Sequence, residues 1–244
     1  AFNATEYTLL KSANGNYTPL TTTTQTTFTD NGYTTGSGAC YKIQYIDACN
    51  NKSPQSLEAC PVALTGSVQG DNTININWTP YTGWTNGVKN YVIEKYDGNG
   101  NLLQTIDANT STTYTDNNSD VDNQVYQYII YTYANDGTVT QSVSNELELI
   151  KQPNLFYPTG FTPNSDGLND TFSVIGQFVS TFEMKVFNRW GEMMYSTEDI
   201  HTGWDGTYRG VLMPEATYVF RAKITDFAGR TFDRSGSFFL IHKK

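Results

Sequence analysis

The sequence lacks long hydrophobic runs and is poor in basic residues. No apolar run approaches the roughly 18 residues that a membrane-spanning helix needs. Nor does it open on a basic segment followed by an apolar one, as a secretory leader would. Lys and Arg number 15 against 24 Asp and Glu, a net charge of −9. Because binding to a phosphate backbone requires a basic face, this composition excludes nucleic acid as the expected partner.

Strand-forming and turn-forming residues dominate what is present. Aromatic residues make up 14% of the chain, Tyr alone numbers 17, and charged residues are only 16%. Thr, Tyr, Val and Ile suit a pleated sheet, while Asn and Gly suit its turns. The composition predicts an all-β protein with many short strands. Residues 152–244 are nearly neutral, whereas residues 1–151 hold 6 basic and 14 acidic residues. We therefore expect the neutral tail to dock on a partner.

Three cysteines, Cys40, Cys49 and Cys60, lie in the first quarter of the chain. Their clustering favours a disulfide over a metal site, because a metal site usually has cysteines that are closer together in sequence and a histidine ligand. If residues 41–47 and 56–62 form a hairpin that turns near residues 50–51, Cys40 faces Cys60, and Cys49 is left odd. A bridge between Cys49 and Cys60 is the alternative.

A repeat with an offset of about 85 residues organises the first part of the chain. Residues 6–11 match 90–95, residues 27–30 match 113–116, and residues 40–45 match 125–130. In the second copy, residues 61–151, several segments alternate apolar and polar residues, which predicts about seven short strands and an antiparallel sandwich. Trp78, the phrase TYTD and the Tyr-x-Tyr start of a later strand resemble the fibronectin type III domain. The resemblance makes Trp78 its core tryptophan and Tyr126 or Tyr128 its corner tyrosine.

The first copy, residues 1–60, begins late relative to the second. Tyr7 corresponds to Tyr91, and only six residues precede Tyr7, whereas some thirty residues of the second copy precede Tyr91. We therefore expect the first two strands of this module to be absent from the chain, which we interpret as the C-terminal piece of a longer polypeptide. A half-sandwich would expose strand edges and apolar surface for another segment to cover.

The remaining residues, 152–244, also predict strands. Alternation is clearest in residues 182–187 and 218–224, which is typical of sheets with one buried face. The predicted strands of this third module are residues 155–157, 171–174, 182–188, 193–196, 217–226 and 237–242.

Four short sequence motifs, called phrases below, follow one another within this third module. They are FTPNSDGLND at 161–170, FNRWG at 187–191, GWDGTY at 203–208 and PEATY at 214–218. In this order they resemble the type B C-terminal sorting domain of type IX secretion cargo in the Bacteroidetes, also known as the gliding-motility-associated C-terminal domain. The resemblance implies a C-terminal β-sandwich that is an export signal, recognised by an outer-membrane shuttle barrel and the translocon. Cleavage and attachment by a surface machinery would follow export. The family usually has Gly where this chain has Ala216.

The phrases supply the candidate site residues. In the first phrase, Asn164, Asp166, Asn169 and Asp170 place oxygen ligands around a turn glycine, as a calcium loop does. A hydrogen-bonded Asx turn without an ion is the alternative interpretation. Calcium is the one possible cofactor that the sequence suggests.

The expected contacts with the secretion machinery come from two turns and the chain end. The second phrase predicts a tight hairpin turn in which Gly191 has a positive φ and Arg189 stacks on Trp190 or Trp204. The third phrase predicts a second turn, in which Asp205 binds backbone amides and the indole of Trp204 covers the core. These aromatic residues therefore suit a structural role, and direct contact with the transport machinery is the other interpretation. The resemblance also implies that the extreme C-terminus is part of the signal. The candidate residues are Arg189, Trp190, Gly191, Trp204, Asp205, Gly206, Lys243 and Lys244.

The sequence predicts a non-enzymatic protein. Its two histidines, His201 and His242, are not part of a nucleophile-bearing motif. We expect a secreted or cell-surface protein, such as an adhesin, that is exported by its last module. An alternative is a set of carbohydrate-binding accessory modules of a secreted enzyme, with Trp84, Trp190 or Trp204 as stacking platforms.

Overall fold

The structure, a computed structural model, describes residues 4–13, 15–34, 36, 38–117, 122–135 and 140–242. Within these ranges the chain forms twenty β-strands and no helix, which confirms the predicted all-β fold. Two compact units are present. The first comprises Ala1–Ser119 and Val125–Leu149, and the second comprises Asp120–Gln124 and Ile150–Lys244. The predicted boundary between residues 60 and 61 stays a prediction.

The first copy of the repeat forms one antiparallel sheet of three strands in the order β2-β1-β3. The two ends of the central strand differ in burial: Leu10 and Ser12 are buried, but most other side chains are only partly covered. Phe28 and Ile43 are about half exposed. The strands are β1 (Ala4–Ala13), β2 (Asn16–Thr23) and β3 (Tyr41–Asp47).

The predicted second arm of the cysteine hairpin is not a regular strand. Residues after the turn return along β3 through single bridges, Tyr41 to Ala59 and Ile46 to Lys52. Between them, the hydroxyl groups of Ser53 and Ser56 accept hydrogen bonds from backbone N–H groups of β3. Side-chain acceptors thus interrupt the backbone ladder. A disulfide joins Cys40 to Cys60, and Cys49 is free and exposed.

The second copy of the repeat is a two-layered sandwich. One layer has the strand order β4-β5-β8 and the other β10-β9-β6-β7, with β11 also on β9. Trp78, Tyr126 and Tyr128 are buried in the core between the layers, in agreement with their expected core positions. The strands are β4 (Leu64–Val68), β5 (Ile74–Trp78), β6 (Val88–Asp97), β7 (Leu102–Asn109), β8 (Thr113–Asp116), β9 (Val125–Ala134), β10 (Gln141–Val143) and β11 (Leu147–Ile150).

The second unit is built on one five-stranded sheet with the order β13-β20-β19-β15-β16. All its neighbouring strands are antiparallel except β13 and β20, which run parallel. The strands are β12 (Asn154–Phe156), β13 (Gly160–Phe161), β14 (Ile175–Gln177), β15 (Val179–Phe187), β16 (Met193–Thr197), β17 (Thr207–Tyr208), β18 (Val211–Leu212), β19 (Ala216–Asp226) and β20 (Thr231–Leu240).

Two strand predictions for this unit were wrong. Residues 171–174 form no strand, because only Phe172 makes a bridge, to Trp204. The last strand begins at Thr231 rather than at residue 237, since all ten residues of β20, including its polar first half, pair with β19. Alternating burial along β15 and β19 places one face of the sheet against a core of aromatic and aliphatic side chains.

Candidate partner-binding groove of the C-terminal unit

Three of the four phrases meet in one aromatic cluster. Trp204 is completely buried, and its ring centroid lies 4.8 Å from that of Tyr218, 5.8 Å from Phe161 and 6.2 Å from Phe238. The indole N–H donates to the carbonyl oxygen of Thr207 at 2.8 Å. Edge-to-face aromatic contacts of this kind stabilise a core beyond simple burial. The cluster fixes the loops that carry the phrases relative to the sheet.

The second phrase forms the predicted tight turn between β15 and β16. Gly191 has a φ of 83°, and its N–H donates to the carbonyl of Asn188. The side-chain oxygen of Asn188 accepts hydrogen bonds from the backbone N–H groups of Trp190 and Glu192, both at 3.0 Å. An L-residue at a φ of this size is strained, so glycine suits the position. The turn is therefore held by its own hydrogen bonds.

This turn presents an arginine and a tryptophan to solvent. The guanidinium of Arg189 lies over the Trp190 ring, 4.1 Å from its centroid. Trp190 is 75% exposed. The stacking partner of Arg189 is thus Trp190 and not Trp204, which resolves the two alternatives left by the sequence.

A groove lies beside the turn and joins the second phrase to the fourth. Its volume is about 320 Å³, and its lining includes Arg189 and Trp190 of the turn. Met213, Pro214 and Tyr218 also line it. Burial raises the pKa of the Tyr218 hydroxyl, which donates to the carbonyl of Pro214 at 3.0 Å. The groove therefore combines apolar side chains with one arginine and two glutamates, Glu192 and Glu215.

The third phrase lies beneath this surface rather than on it. Trp204 and Gly206 are buried, and a Cβ at Gly206 would lie 3.0 Å from Leu240. Asp205 is exposed, but one of its carboxylate oxygens accepts hydrogen bonds from the backbone N–H and the hydroxyl of Thr207. The expectation that Trp204 and Gly206 touch the secretion machinery is thus corrected for the folded domain. Both are buried, Trp204 within the aromatic cluster and Gly206 against Phe161, Pro163 and Leu240.

The first phrase folds as a hydrogen-bonded loop. One oxygen of Asp170 accepts hydrogen bonds from the backbone N–H groups of Asn164 and Ser165, and the other accepts one from Gly167. The side chain of Asp166 accepts hydrogen bonds from the N–H of Leu168 and from the amide of Asn164. A calcium ion needs six to eight oxygen ligands directed at one point. These carboxylates instead face amide donors, so the donor set as folded does not fit the ion.

The end of the chain is tied to the fourth phrase. The backbone N–H of His242 donates to the carboxylate of Glu215 at 2.6 Å, and its ring nitrogen Nε2 lies 3.0 Å from the carbonyl oxygen of Met213. Ala216 begins β19 without a positive φ, so the strand start does not require the glycine usual in the family. Lys243 and Lys244, predicted as part of the signal, lie outside the described residues.

Sequence reasoning missed Met213 and Glu192 as lining residues of the groove. Both lie immediately beside a phrase: Glu192 follows Gly191, and Met213 precedes Pro214. Strand β19 pairs with β15, so the start of β19 lies beside the turn that follows β15. The position of each residue next to a phrase is the sequence signal that could have indicated its place in the groove.

The comparison with protein families identifies this unit. The model of the CHU_C type IX secretion signal domain matches residues 155–240, about a third of the chain. The C-terminal region is therefore a type IX secretion signal domain, which confirms the resemblance drawn from the four phrases. A domain of this kind directs export, so the protein is a secreted or cell-surface protein. A search among curated proteins found no match.

Three solved structures that match this chain are remote from it in sequence. A tetra-tandem repeat from the extending region of a large adhesion protein shares 14% identity, with a TM-score of 0.29; the match covers 99% of this chain and 68% of that one. Two fibronectin type III domains of chicken tenascin share 13%, with a TM-score of 0.43, covering 72% and 97%. The FN1–FN3 domains of chicken CNTN1 share 12%, with a TM-score of 0.31, covering 96% of each chain. Among the described residues, no helix has the length and hydrophobicity to cross a bilayer.

Proposed function

We propose that residues 152–244 are the export signal of an adhesin-like surface protein and that the groove beside Trp190 is where the secretion machinery holds it. The single observation that carries the proposal is the 75% exposed Trp190, stacked by Arg189 on a turn fixed by hydrogen bonds. Exposed aromatic and arginine side chains on a rigid frame are typical of the residues that dominate binding energy. Ordering them in advance lowers the entropic cost of association.

The partners in this proposal are the outer-membrane shuttle barrel and the translocon of the type IX system, followed by the surface-attachment machinery. We also propose that the protein comes from a member of the Bacteroidetes and that it is associated with gliding motility. In it the two fibronectin-like repeats, residues 1–60 and 61–151, are non-catalytic modules of the passenger. In the structure the ring of His242 contacts the Met213 carbonyl, and the backbone N–H of His201 donates to the Asp199 carboxylate. Both contacts suit local structural roles.

Deleting residues 153–244 is the first test of the export function. The truncated protein should stay within the cell envelope, whereas the full chain reaches the medium or the cell surface. Fusion of residues 152–244 to a foreign passenger is the converse arm. Normal export of the truncated protein would contradict the proposal.

Substitution within the groove tests the binding surface. Trp190→Ala should strongly reduce export while leaving the domain folded, since most of the ring is already in solvent. Ile175→Ala is the matched control, because Ile175 is 71% exposed on β14 but does not line the groove. The readout is the amount of each variant that is secreted. Thermal melts of both purified variants verify that they are folded. Equal export of both variants would refute a role for Trp190.

Calcium provides a separate test of the first phrase. We expect millimolar calcium to give neither a heat of binding in calorimetry nor a shift in melting temperature, because the Asp170 oxygens are occupied by backbone donors. The variant Asp170→Asn should melt at a lower temperature with and without calcium alike. A saturable heat that disappears in Asp170→Asn would establish a calcium site instead.

Carbohydrate binding is the alternative function. Trp204 is buried and offers no stacking platform, whereas Trp84 is partly exposed and packs on Tyr81 at a centroid distance of 4.1 Å. Affinity electrophoresis on polysaccharides would decide this alternative. Retardation that is lost in Trp84→Ala or Trp190→Ala would favour it over a spacer role for the repeats.

A further inference from the structure

A lysine and an aspartate are buried together inside the second repeat. Lys95 lies on β6 in one layer of the sandwich, and Asp116 ends β8 in the other layer. Lys95 is 1% exposed and Asp116 is 5% exposed. Their Nζ and Oδ2 atoms lie 2.6 Å apart. The contact therefore connects the two sheets through the core.

The surroundings leave the ammonium group poorly satisfied. Lysine carries three N–H donors. Apart from the Asp116 contact, its Nζ has no hydrogen-bond partner among the described residues, and it lies 4.1 Å from the centroid of the Tyr126 ring. Removing two charges from water is costly unless further hydrogen bonds compensate them. A neutral amide, with one N–H in place of three, would remove that cost at this position.

A third group acts on the carboxylate. The Tyr128 hydroxyl, fully buried, donates to Oδ2 of Asp116 at 2.7 Å. Burial, with the neighbouring Asp116 carboxylate, raises the pKa of Tyr128, so its hydroxyl stays protonated and remains a donor. A fixed donor in a dry site stabilises negative charge that develops on an oxygen during attack at the carbonyl carbon. Tyr128 is placed to do this for Asp116.

We propose that Lys95 and Asp116 condense to an intramolecular amide bond that joins the two sheets of the second repeat. A proton passes from the ammonium to the carboxylate, and the freed lone pair on Nζ attacks Cγ. The bond from Cγ to one carboxyl oxygen then breaks, and that oxygen leaves as water with two protons. The bond formed is Nζ–Cγ, and no oxidant or cofactor takes part. The burial of both side chains and the contact between their polar atoms hold the two groups in position for this reaction.

The first repeat contains the same three residue types and serves as an internal control. Lys11 lies 2.7 Å from Asp30, and the Tyr41 hydroxyl donates to the same Asp30 oxygen at 2.7 Å. Here, however, the side chains of Lys11 and Asp30 are 24% and 12% exposed, and Lys11 also donates to the carbonyl of Gly32. Water and a second acceptor stabilise the ions. We assign the amide bond to the second repeat only.

The experiment is intact-mass spectrometry of the reduced, denatured 244-residue chain. The expected mass is lower than the sequence mass by one water molecule, and protease digestion should yield a branched peptide that joins the segments containing Lys95 and Asp116. Lys95→Arg keeps the charge and the ion pair but cannot form this bond, so its mass should equal the sequence mass. Lys11→Arg should keep the loss of water. Tyr128→Phe should show a smaller linked fraction soon after synthesis.

Each remaining outcome overturns the proposal. A folded wild-type chain with the full sequence mass, unchanged after long incubation, means that the pair is only ionic. A water loss that persists in Lys95→Arg means that a succinimide at a site such as Asp97-Gly98 accounts for it. Circular dichroism of every variant verifies that the mass is measured on protein that had folded.

Discussion

The two repeats place the same lysine, aspartate and tyrosine together in different surroundings. In the second repeat, two layers of strands enclose Lys95 and Asp116 almost completely. In the first, the described residues form one sheet, residues 27–30 are not a strand, and the pair of Lys11 and Asp30 keeps contact with water. The residue types alone therefore do not determine the chemistry. The second layer of the sandwich does, because it removes the solvent that would otherwise stabilise the charges.

The largest difference between the repeats is expected on removal of the lysine. Lys95→Met leaves a buried carboxylate without its cation or its amide linkage, which should cost about 3–5 kcal/mol of unfolding free energy. Lys11→Met should cost clearly less, since water solvates Asp30. Denaturant unfolding of both variants measures the difference. Equal losses would show that burial does not distinguish the two clusters.

The disulfide is expected to have the next largest effect, confined to the first repeat. Cys40 and Cys60 are 20 residues apart, and closing a loop of that size stabilises a fold by roughly 3 kcal/mol. Replacing both cysteines with serine should increase hydrogen exchange in β1–β3 while that of β6 and β9 is unchanged. Exchange that rises equally in both repeats would mean that they unfold as one cooperative unit.

Removal of the tyrosine hydroxyl should lower the free energy of unfolding by a smaller amount, again more in the second repeat than in the first. Tyr128→Phe removes a hydrogen bond to Asp116 inside the core, at a cost of about 1.5–3 kcal/mol. Tyr41→Phe removes the equivalent bond to the more accessible Asp30 and should cost less. Thermal unfolding of the pair of variants compares them. A larger loss for Tyr41→Phe would reverse the ranking.

The smallest expected effect is on the pH dependence of stability in the first repeat. A hydrogen bond from Lys11, and a weaker contribution from the Tyr41 hydroxyl, hold the pKa of Asp30 below its ordinary value of 3.8. A carboxyl with a depressed folded pKa stabilises the fold above the unfolded pKa and loses that contribution as pH falls through the folded pKa. Lys11→Met should raise the pKa of Asp30, as measured by carboxyl NMR titration. A linked Asp116 would show no titration at all, and a titrating Asp116 signal would contradict the amide bond.

Strict alternation made most of the fold predictable. Strands β6, β9, β15 and β19 alternate between the core and the opposite face, and period two alone located them. The short parallel strand β13 was not predictable. It has two residues, and its partner β20 is almost 80 positions away. Local patterns carry no information about such a pairing.

The position of the buried lysine follows from the period of its strand. Lys95 lies two and four residues after Ile93 and Tyr91, in phase with the buried face of β6. A charged residue in that phase indicates either a paired charge or an error in the strand register. Burial of Trp204, by contrast, agrees with the interpretation that its indole covers the core.

The parallel contact of β13 with β20 determines how the second unit bears tension. Strand β13 lies near the start of the unit and β20 near its end, and the carbonyls of Thr159 and Phe161 accept hydrogen bonds from Phe239 and Ile241. If opposite ends are pulled, two parallel terminal strands slide along each other, so these bonds must break together rather than one by one. A passenger held at the cell surface through this end would load its anchor in shear, the direction in which a short ladder resists force best.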